Sequence, residues 1–189
     1  MAAIVILAFL FVAMGIVLYG VAVYNGLIRV SRNVDKAWAN IDVLLKQRHD
    51  EIPKLIKVCE GYMKFERETL EKLTAARTAC IQASGVADSA QKEGQLSGML
   101  RQVFAVAENY PDLKSNQNFL QLQQRASYLE SQIADRREFY NDSVNSYNVR
   151  IHQIPDMWVA GMLNYRDKEL FKVSEEEKKD VDINFNFPT

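Results

Sequence analysis

Residues 24–56, YNGLIRVSRNVDKAWANIDVLLKQRHDEIPKLI, decide the fold of this chain. Before Pro53 they hold no strong helix breaker, and the isolated Gly26 is too weak to interrupt a helix entering from the left. Trp38, Ile41, Leu45, Ile52 and Leu55 recur at three- and four-residue steps. Cys59, Tyr62, Leu70, Leu73 and Cys80 prolong the series, which predicts one long amphipathic helix. Pro53 lacks an N–H and its ring crowds the carbonyl four residues back, so it either kinks that helix or opens a new one.

What precedes this stretch is a different material. MAAIVILAFLFVAMGIVLYGVAVY, residues 1–24, contains no charged side chain. A transmembrane helix needs about 20 apolar residues, and residues 2–24 supply them, with Tyr19 and Tyr24 toward one end as interfacial aromatics. A cleaved signal peptide would want a basic start, a shorter apolar run and small residues at the cut. No Lys or Arg precedes this run and VAVYNGL is a poor cleavage site, so the reading is a retained anchor. Arg29, Arg32 and Lys36 follow it closely. The positive-inside rule then predicts an amino terminus outside and residues 25–189 in the cytoplasm.

The remaining sequence also reads as helix. The 189-residue chain has few glycines and prolines and 25% charged residues. Its net charge of −1 offers no basic surface for nucleic acid. ASGVADSAQKEG, 83–94, is small and polar and predicts a turn. A second helix follows on Leu96, Leu100, Val103, Val106 and Tyr110. ENYPDLKSNQNF, 108–119, then predicts a stop, an elbow and a restart. Asn109 tolerates the left-handed conformation that ends helices, and Pro111 pushes Tyr110 out of helical geometry. Asp112, Ser115 or Asn116 can accept the first N–H groups of the next helix. Tyr110, Pro111, Asp112, Leu113 and Lys114 form the elbow itself. A third helix carries Phe119, Leu122, Ala126, Leu129, Ile133, Tyr140, Val144, Tyr147 and Ile151 at near-heptad spacing, which predicts coiled-coil-like packing. Pro155 stops it, and MWVAGMLNY, 157–165, makes a short final turn. The expected fold is therefore all-α: an anchor (1–24) continuing into an antiparallel long-helix bundle of four-helix type (25–165), then a charged and extended tail (166–189). In that tail Val181, Ile183, Phe185 and Phe187 alternate with polar residues, which predicts an extended segment that docks on the bundle or between subunits.

Arg48, Glu66, Arg77 and Arg136 or Arg137 fall on or beside the apolar stripes, with Glu108 and Glu130 as partners for them. Unpaired buried charge costs several kcal/mol, so these groups are expected to pair and fix helix register. Templates for chemistry are missing. Neither His49 nor His152 follows a Glu at the spacing of a di-iron bundle, and there is no phosphate loop, no GxSxG and no Cys-x-x-Cys. Cys59 and Cys80, placed in one helix, would stand about 31 Å apart and read as reduced buried thiols. The expectation is a protein that is not an enzyme, with no catalytic residue, no metal and no cofactor.

The residues also carry a family likeness. YNGLIRVSRNVDKAWANIDVLLKQRHDEIPKLI (24–56), ENYPDLKSNQNFLQLQ (108–123) and the paired Tyr-Asn steps of EFYNDSVNSYN (138–148) resemble the LemA family of bacterial membrane proteins over nearly the whole chain. The chain departs from the paired phenylalanines common near the family's end, reading KELFKV at 168–173. The resemblance implies an anchored cytoplasmic helical bundle without enzymatic activity. It also implies a link to membrane shaping, as for a relative tied to the magnetosome membrane, or to quality control beside membrane proteases. Two functions follow as expectations: a self-associating scaffold that shapes or organises the membrane, or a monomeric adaptor for a membrane-protein partner such as a protease.

Overall fold

A computed structural model describes residues 1–172, and Val181, Ile183, Phe185 and Phe187 lie outside the described residues. The fold is all-α, with no strand among the described residues. Helix α1 spans Ala2–Glu60, followed by α2 (Arg67–Ile81), α3 (Val86–Ala107), the short α4 (Pro111–Lys114), α5 (Gln117–His152) and α6 (Asp156–Met162). Pro53 sits inside α1 without ending it. The apolar run at its start is long enough to cross a membrane and exposes its side chains. Gly26 does not interrupt the passage from that run into the packed part of α1.

The described chain divides into two compact units. The first comprises Met1–Val43 and Ala134–Leu170. In it α5 runs antiparallel to α1: the Trp38 ring meets Tyr140 at 5.6 Å, and the Arg150 guanidinium lies on Gly26, where a Cβ would collide with Arg150 Nη2. Val23, Leu27, Val34, Ala37 and Ile41 are buried on α1, and Tyr140, Val144, Tyr147 and Ile151 on α5. Both series keep the three- and four-residue spacing of a heptad seam. The paired Tyr-Asn steps hold the segment after α6. Asn148 Nδ2 donates to the Lys168 carbonyl and Asn148 Oδ1 accepts from the Lys168 N–H, both at 2.9 Å, while the Tyr140 hydroxyl donates to the Glu169 carbonyl at 2.9 Å. Asn164 (φ 54) ends α6 in left-handed geometry, with the Tyr165 N–H returning to the Ala160 carbonyl at 3.0 Å.

The second unit comprises Leu44–Ile133 together with Phe171 and Lys172. Its helices alternate in direction: Arg77 of α2 reaches back to His49 of α1, Glu93 of α3 meets Arg48, and Asn116 before α5 reaches Tyr62. Ile52, Leu55, Cys59, Leu70, Leu73, Cys80, Leu96, Leu100, Val103 and Phe119 share one core. The end of α1, α2, α3 and the start of α5 thus make an up-down-up-down four-helix arrangement.

Three local expectations are corrected. The stripe from Trp38 to Cys80 is not one helix: α1 ends at Glu60, residues 61–66 turn, and α2 returns. Continuing straight would leave Leu70, Leu73 and Cys80 in water, whereas folding back at Gly61 buries them against Ile52, Leu55 and Cys59. Cys59 and Cys80 therefore stand on opposed helices rather than along one, each buried and free. The turn predicted over 83–94 is shorter, since α3 already begins at Val86. Gly85 takes the positive φ of 81 that the turn needs, and Asp88 accepts the Ser84 N–H at 2.8 Å. Asn109 does not adopt left-handed geometry. Tyr110 itself leaves the helix at φ −118, ψ 88, Pro111 opens α4, and Asn116 Oδ1 caps α5 by accepting the N–H groups of Asn118 (2.9 Å) and Phe119 (3.1 Å).

Candidate functional site: a buried charge network around Arg48

Arg48 occupies a seam position of α1, one turn before Ile52, where an apolar side chain would be expected. It is 2% exposed, and its partners come from two other helices. Nη2 donates to Glu93 of α3, and Nη1 donates to Glu130 of α5 (2.5 Å) and to the Ser97 hydroxyl (3.0 Å). The Ser97 hydroxyl in turn donates to Glu130 at 2.9 Å, and the His49 Nε2 shares a hydrogen bond with Glu93 Oε1 at 2.7 Å. Arg48 Nε is buried without a hydrogen-bond partner.

Two charges of opposite sign explain the protonation states. Burial disfavours the Arg48 cation, but Glu93 and Glu130 more than offset it and hold its pKa above the ordinary value. Burial likewise pushes the Glu93 carboxyl up, yet the bond from His49 and the nearby Arg48 charge bring it below the usual carboxylate range. The network is thus a charged pair with satisfied neighbours, one side of which, Glu130, remains half in water.

A second polar link grows from Pro53. With no N–H at that position, the His49 carbonyl loses its intrahelical donor. Arg77 Nε, from α2, donates to that carbonyl at 2.7 Å. Proline and arginine are complementary halves of one helix–helix bond.

The cluster brings Arg48 and Glu130 together, and Arg77 touches its edge through His49. Glu66 lies elsewhere in the same unit, accepting the Tyr110 hydroxyl at 3.4 Å. Glu108 is exposed just after α3, and Arg136 (exposed) and Arg137 (half-buried) belong to the other unit. In the elbow, Leu113 is buried while Pro111, Asp112 and Lys114 face solvent. The sequence reading passes over Glu93 and Ser97, and weighs His49 only as a metal ligand. For Glu93 and Ser97 a signal exists: they share the helical face of Leu96 and Leu100. His49 has none, because its proximity to Glu93 is made only by the fold.

Chemically, the network binds helices rather than activating a reactant. Burial pushes the Cys59 thiol up to about 11 and the Cys80 thiol up to about 12, the latter helped by Glu93, so both stay protonated and poorly nucleophilic at neutral pH. Ligand atoms of His49, Cys80 and Glu93 lie within 4.8 Å of one another. A divalent ion there would have to strip the Cys80 proton and sit against the Arg48 guanidinium, which already holds Glu93. The trio is better accounted for as part of the hydrogen-bonded network.

Comparison with known proteins gives a consistent family. The LemA family model matches residues 37–185. The chain is similar to Protein LemA of Metamycoplasma hominis, at 29% identity over 162 residues that cover 84% of this chain and 73% of that one. It is also similar to Magnetosome protein MamQ 2 of Paramagnetospirillum magneticum, at 21% identity over 175 residues, and to Magnetosome protein MamQ of Magnetospirillum gryphiswaldense, at 19% over 174. The matched region spans 64% of the length of each magnetosome protein.

Proposed function

Starting from the fact that this chain belongs to the LemA family, we propose that it is a non-enzymatic, single-pass protein of the bacterial inner membrane that associates with copies of itself to shape or organise the bilayer. The observation that carries this reading is the continuity of α1. One helix holds the exposed apolar run and then, without a break, the buried seam from Val23 to Cys59. Movement of the first unit is therefore passed to the bilayer through helix rather than through a flexible linker. The charge network supports the same reading, since its polar groups tie helices together and its thiols are held inert. The likeness to magnetosome proteins supports a part in building a cellular structure rather than in turning over a substrate.

An adaptor role has one observation in its favour. An open groove of about 650 Å³ runs beside the end of α1 and α2, lined by Ile56, Met63, Leu70 and Thr74 among others. Mass measurement of the full chain in detergent separates the two readings. A uniform particle of several copies is expected for the scaffold, whereas one copy per micelle at every concentration would overturn it in favour of the adaptor.

A further inference from the structure

Helix α5 ends at the level where the apolar run of α1 ends. Its direction is fixed by two contacts: Tyr140 meets Trp38, and ten residues later Arg150 lies on Gly26, two residues beyond Tyr24. At 1.5 Å per residue, Gly26 stands about 3 Å past the apolar run, within the headgroup layer of a bilayer spanned by residues 2–24. The chain leaving α5 therefore makes its turn, residues 153–155, at that level. Arg150 Nε also donates to Asp156 Oδ1 at 2.7 Å, which ties the first residue of α6 to the same guanidinium.

What the chain presents there is apolar and uncovered. Ile154 is 71% exposed, Trp158 62% and Met162 86%, with Trp158 and Met162 one helical turn apart on one face of α6. The opposite face is anchored by buried Ala160. Arg29 and Arg32 lie exposed on α1 close by in sequence to Gly26, as suits an anionic surface. A tryptophan flanked by large aliphatic side chains at headgroup depth is the composition of an interfacial membrane contact.

We infer that Ile154, Trp158 and Met162 dip into the same bilayer leaflet that α1 leaves, so that the protein holds the membrane at a second, shallow point beside its anchor. The inference rests on the membrane reading of residues 2–24. Two attachment points would fix the tilt of the first unit against the surface, and a shallow wedge displaces headgroups in one leaflet only.

The chain has two tryptophans, so W38F leaves Trp158 as the sole reporter. The full-length variant is reconstituted into phosphatidylcholine–phosphatidylglycerol vesicles whose acyl chains are brominated close to the headgroup. Quenching of Trp158 by several-fold relative to unbrominated vesicles is expected, with weaker quenching when the bromines lie deep. Full-length W158F is the control: Trp38, about 21 Å of helix beyond Tyr24, should be unaffected by either lipid. If the chain floats with the vesicles but Trp158 emission ignores bromine, the inference fails while the anchor stands. Shielding of Trp158 from acrylamide that grows with protein density, without lipid quenching, would assign the face to a second copy and likewise overturn it. A chain that does not float at all would overturn both readings.

Discussion

The Arg48–Glu93 pair is buried on both sides, whereas Glu130 is half exposed, and the three residues should differ in consequence accordingly. Arg48→Met leaves Glu93 charged in the core and should cost about 3–5 kcal/mol, while Glu130→Gln should cost about 1 kcal/mol or less. Urea melts of the full chain in detergent measure both, and equal losses would contradict the network. The Glu93 carboxyl also gives the fold an acid limit. Its folded pKa lies below the ordinary value, so its contribution is complete above about pH 4.3 and fades as pH falls through the lower folded value. Glu93→Gln should remove that part of the acid loss; an unchanged slope of stability against pH below about 4.3 would assign the loss to other carboxylates. Half of this site is legible in the sequence. Arg48 stands out because a charge interrupts an apolar stripe, but its main partner requires knowing which face of α3 turns toward α1.

Individual helices are read from periodicity, and their ends depend on chemistry that periodicity does not carry. Heptad spacing locates α5 closely because a long seam averages over many residues. The same averaging carries the stripe straight through residues 61–66, since Tyr62 and Leu70 keep the phase across a turn. Small residues at 86–94 imitate a loop although Ala, Gln, Lys and Glu are good helix formers. Pro53 shows how an element's defect becomes a contact. In a Pro53→Ala chain the restored N–H competes for the His49 carbonyl, so Arg77→Ala should cost about 1–2 kcal/mol in the native background and markedly less in the alanine background. Additive losses in the double-mutant cycle would separate the two residues. For the elbow, Pro111→Ala should cost about 1 kcal/mol at most, since Asn116 still caps α5. Deleting residues 110–114 removes buried Leu113 together with the turn and should abolish the cooperative melt of the second unit. A melt untouched by that deletion would show that the flanking helices need no elbow.

For the whole molecule, the decisive asymmetry is that α1 supplies both the apolar run and residues of each unit's core, so on the proposed reading the side on which those residues lie is settled where α1 leaves the membrane. Arg29, Arg32 and Lys36 are exposed there, free to meet anionic headgroups, and each basic residue near such a surface contributes about 1 kcal/mol. On the proposed topology they favour the cytoplasmic side, Arg29 most and Lys36 least, since Lys36 stands about 18 Å of helix past Tyr24 and beyond a Debye length of the surface. Protease added to intact spheroplasts should therefore leave the bundle whole and cut it only after lysis. Arg29→Gln, Arg32→Gln and Lys36→Gln in combination should yield a mixed population, part of it cut from outside, because the cation then left beside the end of the run, Arg150, is already paired with Asp156. Cleavage of the native bundle from the periplasmic side would invert the orientation. It would also move the Ile154–Trp158–Met162 contact to the outer leaflet, since that contact follows α5 back to whichever surface α1 leaves.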